Sequence, residues 1–100
     1  MKICLLDKNL VRTKHIKDAT GMLAYNFDMI EKDGYELLCY IDLYSSTFFN
    51  RLQMDLFLKE WQRLEQYAEN EEDSQFMEYV RNLALEVQKT KHSMLFFIGD

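Results

Sequence analysis

The chain has 100 residues, close to the commonest size of a single domain, and one domain over 1–100 is expected. Hydrophobic residues make up 48% and aromatic residues 14%, enough apolar mass for a core and too much for a disordered segment. Seventeen acids against twelve Lys and Arg give a net charge of −5, which repels nucleic-acid phosphates.

The only basic cluster is Arg12, Lys14, His15 and Lys17, which carries no stacking aromatic, so no nucleic-acid partner is expected. Cys4 and Cys39 lie in apolar surroundings, and two cysteines do not make the framework of a small secreted domain. They read as buried reduced thiols. No apolar run approaches a membrane span, and residues 1–6 are too short and weakly flanked for a signal peptide. A cytoplasmic protein with no membrane partner is expected.

In chain order, Met1 to Leu6 reads as a strand buried on both faces, ending at Asp7-Lys8-Asn9. Polar residues from Arg12 to Gly21 read as a loop. Residues 22–43 carry two periods. Leu23, Tyr25, Phe27 and Met29 alternate with polar or small residues as in a strand. Asp33-Gly34 is a hairpin signal, and Tyr35, Leu37, Cys39, Ile41 and Leu43 resume the alternation. A hairpin is expected. The alternative is a helix using Leu23, Phe27 and Ile30, closed by Gly34 just past its end.

The following two segments are helical. Met54, Phe57, Trp61, Leu64 and Ala68 step by three and four, predicting a helix over about 50–69. A second stripe of Phe76, Val80, Leu83 and Val87 predicts a helix over about 74–91, with Asp73 as its cap. The short acidic connection makes the two helices antiparallel. Met94 to Ile98 is a continuous apolar run and reads as a final strand. The expected fold class is α+β: a small antiparallel sheet of three or four strands, with an antiparallel helix pair on one face.

Chemistry is hard to place on these residues. His15 and His92 are far apart and lack neighbours at ligand spacing, so no metal is expected. No glycine-rich phosphate loop precedes either helix, and no cofactor is expected. Ser45, Ser46 and Thr47 read as helix caps rather than nucleophiles. Asp42 reads as an acid that bonds local backbone in the turn before the first long helix, with a general base as the rival role. The protein is not expected to be an enzyme.

The outstanding feature is electrostatic. Glu65, Glu69, Glu71, Glu72, Asp73 and Glu78 lie between Arg63 and Arg81 with no base among them. Tyr67, Phe76 and Tyr79 are interleaved. Such a run is either a solvated helix-turn-helix tip or a docking surface for a basic protein, steered by charge and anchored by aromatics. On the second reading, Glu69, Glu71, Glu72 and Asp73 all face solvent.

The stretch from Leu37 to Met54 resembles a family of small bacterial proteins with a core pattern like I-D-P-Y-G-D-T-x-F-N-x-L-Q. Asp42, Tyr44, Thr47, Phe49, Asn50, Leu52 and Gln53 match it, while Leu43 replaces proline and Ser45-Ser46 replace Gly-Asp. The resemblance covers 35–100 and includes the end Phe96-Phe97-Ile98-Gly99-Asp100, where Phe96 stands for an expected polar residue. Small acidic members of that family look like immunity proteins of polymorphic toxin systems. The resemblance thus implies a protein that binds and neutralises a cognate toxin, with Asp42, Tyr44, Thr47, Phe49, Asn50 and Gln53 as its structural motif. A non-catalytic adaptor that self-associates as a homodimer, through an edge strand near Phe96, is the alternative.

Overall fold

Strand β1 (Lys2–Leu6) pairs antiparallel with β2 (Arg12–Lys17) on one side and with β4 (Met94–Ile98) on the other, and β3 (Ser46–Asn50) adds to β4. The sheet order is therefore β2-β1-β4-β3. Between the strands come α1 (Met22–Tyr25), α2 (Phe27–Lys32), α3 (Met54–Glu65) and α4 (Glu71–Lys89), with 3-10 turns at Leu38–Tyr40 and Arg51–Gln53. This computed structural model describes residues 1–99, so Asp100 of the family-like ending lies outside the described residues. The architecture is the expected α+β one, a four-stranded antiparallel sheet with helices.

Alternation along the strands divides the sheet into two faces. Ile3, Leu5, Phe49, Leu95 and Phe97 join the helical residues Met54, Phe57, Trp61, Leu64, Phe76, Met77, Val80, Leu83, Ala84 and Val87 in one buried core. Trp61 is its centre: its ring lies 5.5 Å from Phe57, 6.1 Å from Phe97 and 6.2 Å from Phe76. Its indole Nε1 donates to the Met77 carbonyl at 2.9 Å, which ties α3 to α4 and satisfies the one polar atom of the ring. Cys4, Leu6 and Phe96 form a second, smaller cluster with Met94 and Ile98 on the other face.

Several expectations about the local structure are corrected. Arg12–Lys17 is a strand, not a loop. It sits at the sheet edge and only Ile16 turns an apolar side chain to the core, so the period-two signal is missing. Residues 22–43 hold helices and a 3-10 turn in place of the hairpin. The Asp18 carboxylate, itself buried, accepts from the amides of Met22 and Leu23 at 3.0 and 2.9 Å and starts α1. Met22, Leu23, Asn26 and Ile30 are then buried on a helical face, while Tyr25 is left exposed. Gly34, at φ +76°, follows the end of α2 in the left-handed conformation, as the helical alternative required.

The residues before α3 also differ. Ser46 and Thr47 belong to β3 and do not cap a helix. Asn50 caps the 3-10 turn that leads into α3: its side chain accepts from Gln53 N at 3.2 Å, and Gln53 Oε1 accepts from Asn50 N at 2.8 Å. Asn70 likewise replaces Asp73 as the cap of α4, accepting from Asp73 N at 2.8 Å. Finally, β4 is an interior strand, so the edge near Phe96 is β3 with its half-exposed Phe48.

The chain between α2 and β3 is held from below by α3. Glu60, only 3% exposed, accepts from the amides of Glu36, Leu37 and Leu38 at 2.9 to 3.2 Å. One turn along, Arg63 donates to the Asp33 carbonyl at 2.7 Å and lies 4.2 Å from the centre of the Tyr35 ring.

Glu60→Ala is expected to cost on the order of 3 kcal/mol, because it leaves buried amides unpaired, and Glu60→Gln to cost less. Urea unfolding of the two variants checks the order. Trp61→Ala is expected to cost about 3–5 kcal/mol, since the core cannot close over a lost indole. A Trp61→Ala midpoint equal to wild type would show that the core is not built around that ring.

Candidate protein-binding surfaces

The acidic run does not stay whole once folded. Arg81 Nη1 reaches both oxygens of Glu65 at 3.0 Å, so Glu65 is an internal ion-pair partner across the helix pair. Asp73 is 5% exposed, against the expectation that it faces solvent. Its oxygens accept from the Thr20 hydroxyl at 2.5 Å and from Glu69 N at 3.1 Å, which fastens the helix-to-helix connection onto the loop before α1. An acid at this position loses water but gains charge-assisted bonds at the positive end of α4.

Glu69, Glu71, Glu72 and Glu78 are exposed, and no ion pair among the described residues holds them. Glu71 and Glu72 also lie in the first turn of α4, where acids complement the helix dipole. Tyr79 is 38% exposed and Tyr67 is half-buried against the core. Tyr25, which the sequence reading did not select, is 79% exposed. It shares a small concavity of about 110 Å³ with Tyr67, Glu69, Asn70 and Asp73. Helical phasing of residues 22–30 would have found it, because Tyr25 falls off the Met22, Leu23, Asn26, Ile30 stripe.

The motif residues divide into scaffold and display. Asp42 Oδ1 accepts from Tyr44 N at 2.8 Å, a local turn bond. Thr47 Oγ1 donates to the Tyr40 carbonyl and accepts from Asp42 N, both at 3.3 Å. These bonds lead the chain into β3 rather than directly into a helix. Phe49 is buried against Phe57 and Phe97, and Asn50 with Gln53 makes the reciprocal cap described above. Tyr44 departs from the structural role expected of it. It is 83% exposed and, with Tyr40, Asp42 and Cys39, borders a concavity of about 390 Å³.

Gly99 closes the far side of this turn. Its amide donates to the Ser45 carbonyl at 2.8 Å, and a Cβ there would lie 2.5 Å from Ser45 N. Only glycine lets the two backbones approach so closely. Ser45 and Ser46, which replace the family-like Gly-Asp pair, are both exposed.

No protein-family model, no curated protein and no solved structure matches this chain. Among the described residues, no helix is long and apolar enough to cross a membrane.

The two thiols differ in exposure: Cys4 is buried as expected, and Cys39 is not. Burial pushes the Cys4 thiol above its usual pKa, with Arg12 and Lys2 pulling it down less strongly. Cys39 is partly exposed in the Tyr40–Tyr44 concavity. Iodoacetamide is therefore expected to label Cys39 in the native protein and Cys4 only on unfolding. Peptide mapping after native labelling checks this, and early modification of Cys4 would refute it.

Proposed function

We propose that this domain binds a basic protein through the acidic end of its helix pair, and that the partner is a bacterial toxin which it neutralises as an immunity protein in the cytoplasm. The observation that carries the reading is the set of four exposed carboxylates, Glu69, Glu71, Glu72 and Glu78, which no ion pair among the described residues holds, with Tyr25 and Tyr67 sharing a concavity with Glu69 and the exposed Tyr79 following Glu78 on α4. Acids steer a basic partner into contact, and tyrosines supply contact energy at small entropic cost. A toxin that acts on nucleic acid has a positive surface for its substrate, and occupying that surface blocks it without any catalytic residue on the inhibitor. The toxin assignment itself comes from the I-D-x-Y-x-x-T-x-F-N-x-L-Q resemblance.

A second reading, a self-associating adaptor, is favoured by the open edge of β3 and the half-exposed Phe48 upon it. Concentration-dependent sedimentation separates the two, because only the adaptor forms dimers without a partner.

The test begins with affinity purification from the native host and identification of the protein recovered. Reversing Glu69, Glu71 and Glu72 to Lys is expected to slow association about tenfold at low salt and to flatten its salt dependence. Tyr79→Ala is expected to speed dissociation instead. Asp73 is left intact in this design because it holds the connection together. Recovery of no basic protein, or an unchanged association rate in the reversed variant, would overturn the proposal.

A further inference from the structure

We propose that the end of the sheet where β1 finishes and β4 begins rests on an anionic phospholipid surface. Leu10, Val11 and Leu52 reach the acyl boundary there, and Arg51 and Lys91 meet lipid phosphates. This end is separate from the acidic helix tip, and its role is independent of what binds that tip. The lack of a spanning helix concerns crossing a membrane, not lying against one.

The first ground is a set of apolar side chains on turns. Arg12, Leu6, Met94 and Asn50 form one row across the four strands, and the connections leaving it are 7–11, 90–93 and 51–53. On these, Leu10, Val11 and Leu52 are 65%, 54% and 85% exposed. Their side chains take no part in closing the turns. Asp7 closes the first: its Oδ1 accepts from Asn9 N and Val11 N at 2.8 and 3.0 Å, and its carbonyl accepts from Leu10 N at 2.9 Å. The reciprocal Asn50 and Gln53 bonds close the turn that holds Leu52. Leu10 is moreover at φ +62°, a left-handed conformation that suits glycine or asparagine and strains a leucine. A leucine unfavourable in both backbone and hydration points to an apolar medium that receives it.

The second ground is charge. Lys8, Arg51, Lys89 and Lys91 are exposed on the same turns and on the last turn of α4, and no ion pair among the described residues engages them. Of the acids nearby, Asp7 is occupied as described, and Asp55 accepts from the Gln88 side chain. Arg51, Leu52, Lys91 and His92 line one concavity of about 360 Å³, which has room for a phosphate between the bases. The acids of the helix tip stand at the start of α4, roughly 28 Å away along its 19 residues, well beyond a Debye length of about 8 Å. Met1 and Gly99 are remote as well. Lys2 and Ile98 pair at the opposite end of the strands, on the order of 13 Å from Leu6 and Met94.

An acidic partner protein fits this end less well. Its three turns hold no Phe, Tyr or Trp, whereas binding hot spots favour aromatic residues and are poor in Leu and Val. A nucleic-acid strand would likewise find no such ring on these turns for its bases to stack on. Aliphatic tips among bases suit the layered chemistry of a membrane surface. The apolar side chains enter the boundary between headgroups and acyl chains, while the bases stay among the phosphates.

The test is co-sedimentation with vesicles of phosphatidylcholine alone and of phosphatidylcholine mixed with phosphatidylglycerol. The intact protein is expected to bind the mixed vesicles with salt-sensitive affinity and to ignore the neutral ones. Arg51→Gln with Lys91→Gln is expected to weaken binding about tenfold or more and to flatten its salt dependence. Leu10→Asn with Leu52→Ser is expected to weaken it about tenfold. The latter variant should melt no lower than wild type, because asparagine tolerates the left-handed position. Inorganic phosphate at matched concentration is expected not to displace the vesicles. No binding to the mixed vesicles, equal binding to the neutral ones, or unchanged affinity in both variants would overturn the proposal. So would displacement by phosphate, which would mean a site for the free ion. Binding of a dye-labelled peptide alternating Glu and Leu, with the vesicles ignored, would give this end to an acidic protein segment instead.

Discussion

Glu60 lies on the inner side of α3, where a carboxylate has no water and must find its hydrogen bonds in the protein. It finds them in three successive amides, those of Glu36, Leu37 and Leu38, which lie in and just before a 3-10 turn. Much of the non-helical half of the domain follows from that one anchor. The turn at Leu38–Tyr40 presents the Tyr40 carbonyl to Thr47, and Thr47 sets the start of β3. β3 carries Phe49 into the core and Phe48 onto the opposite face, and the turn just before it, at Asp42 and Ser45, meets the backbone of Gly99. Arg63, one helical turn beyond Glu60, holds the Asp33 carbonyl in the same way. A polar pair on one helix thus positions an irregular segment that has no sheet or long helix of its own.

The parts of the fold legible in the sequence are those in which a single apolar period dominates. Helices α3 and α4 and the central strands β1 and β4 each bury a continuous face, and their residues show it. The illegible parts are stabilised by contacts from outside the segment. β2 is held by pairing to β1, with little burial of its own, so its composition resembles a loop. Residues 22–43 look alternating, but Asp18 and Glu60 supply the bonds that make them helical and turned. Those two acids act at sequence distances that no local pattern reveals. The helix caps were misplaced for a related reason, since Ser45, Ser46, Thr47 and Asp73 are all good cap residues by type. Asn50 takes the role for the 3-10 turn before α3, and Asn70 takes it for α4.

The candidate surface was legible in part. Counting charges between Arg63 and Arg81 treats every carboxylate alike, whereas folding brings Arg81 back to Glu65 and turns Asp73 inward. What remains outside is the subset on α4 and the connection that no ion pair among the described residues holds. The motif was legible as a scaffold through Asp42, Thr47, Phe49, Asn50 and Gln53. Two of its matching residues, Tyr44 and Leu52, leave their side chains at the surface.

The pairing of β1 with β4 has a consequence for how the chain reaches its structure. These two strands are the middle of the sheet, yet they lie at opposite ends of the described sequence. Closing so long a loop is entropically slow, and the reward comes only when the last strand arrives. During synthesis, the β1–β2 hairpin and the helices can form as residues emerge, but β1 keeps an unpaired inner edge and β3 has no neighbour. Until residues 94–98 leave the ribosome, the chain is half a sheet with its apolar inner strand open, and the protein is then most dependent on chaperones and most exposed to misassembly.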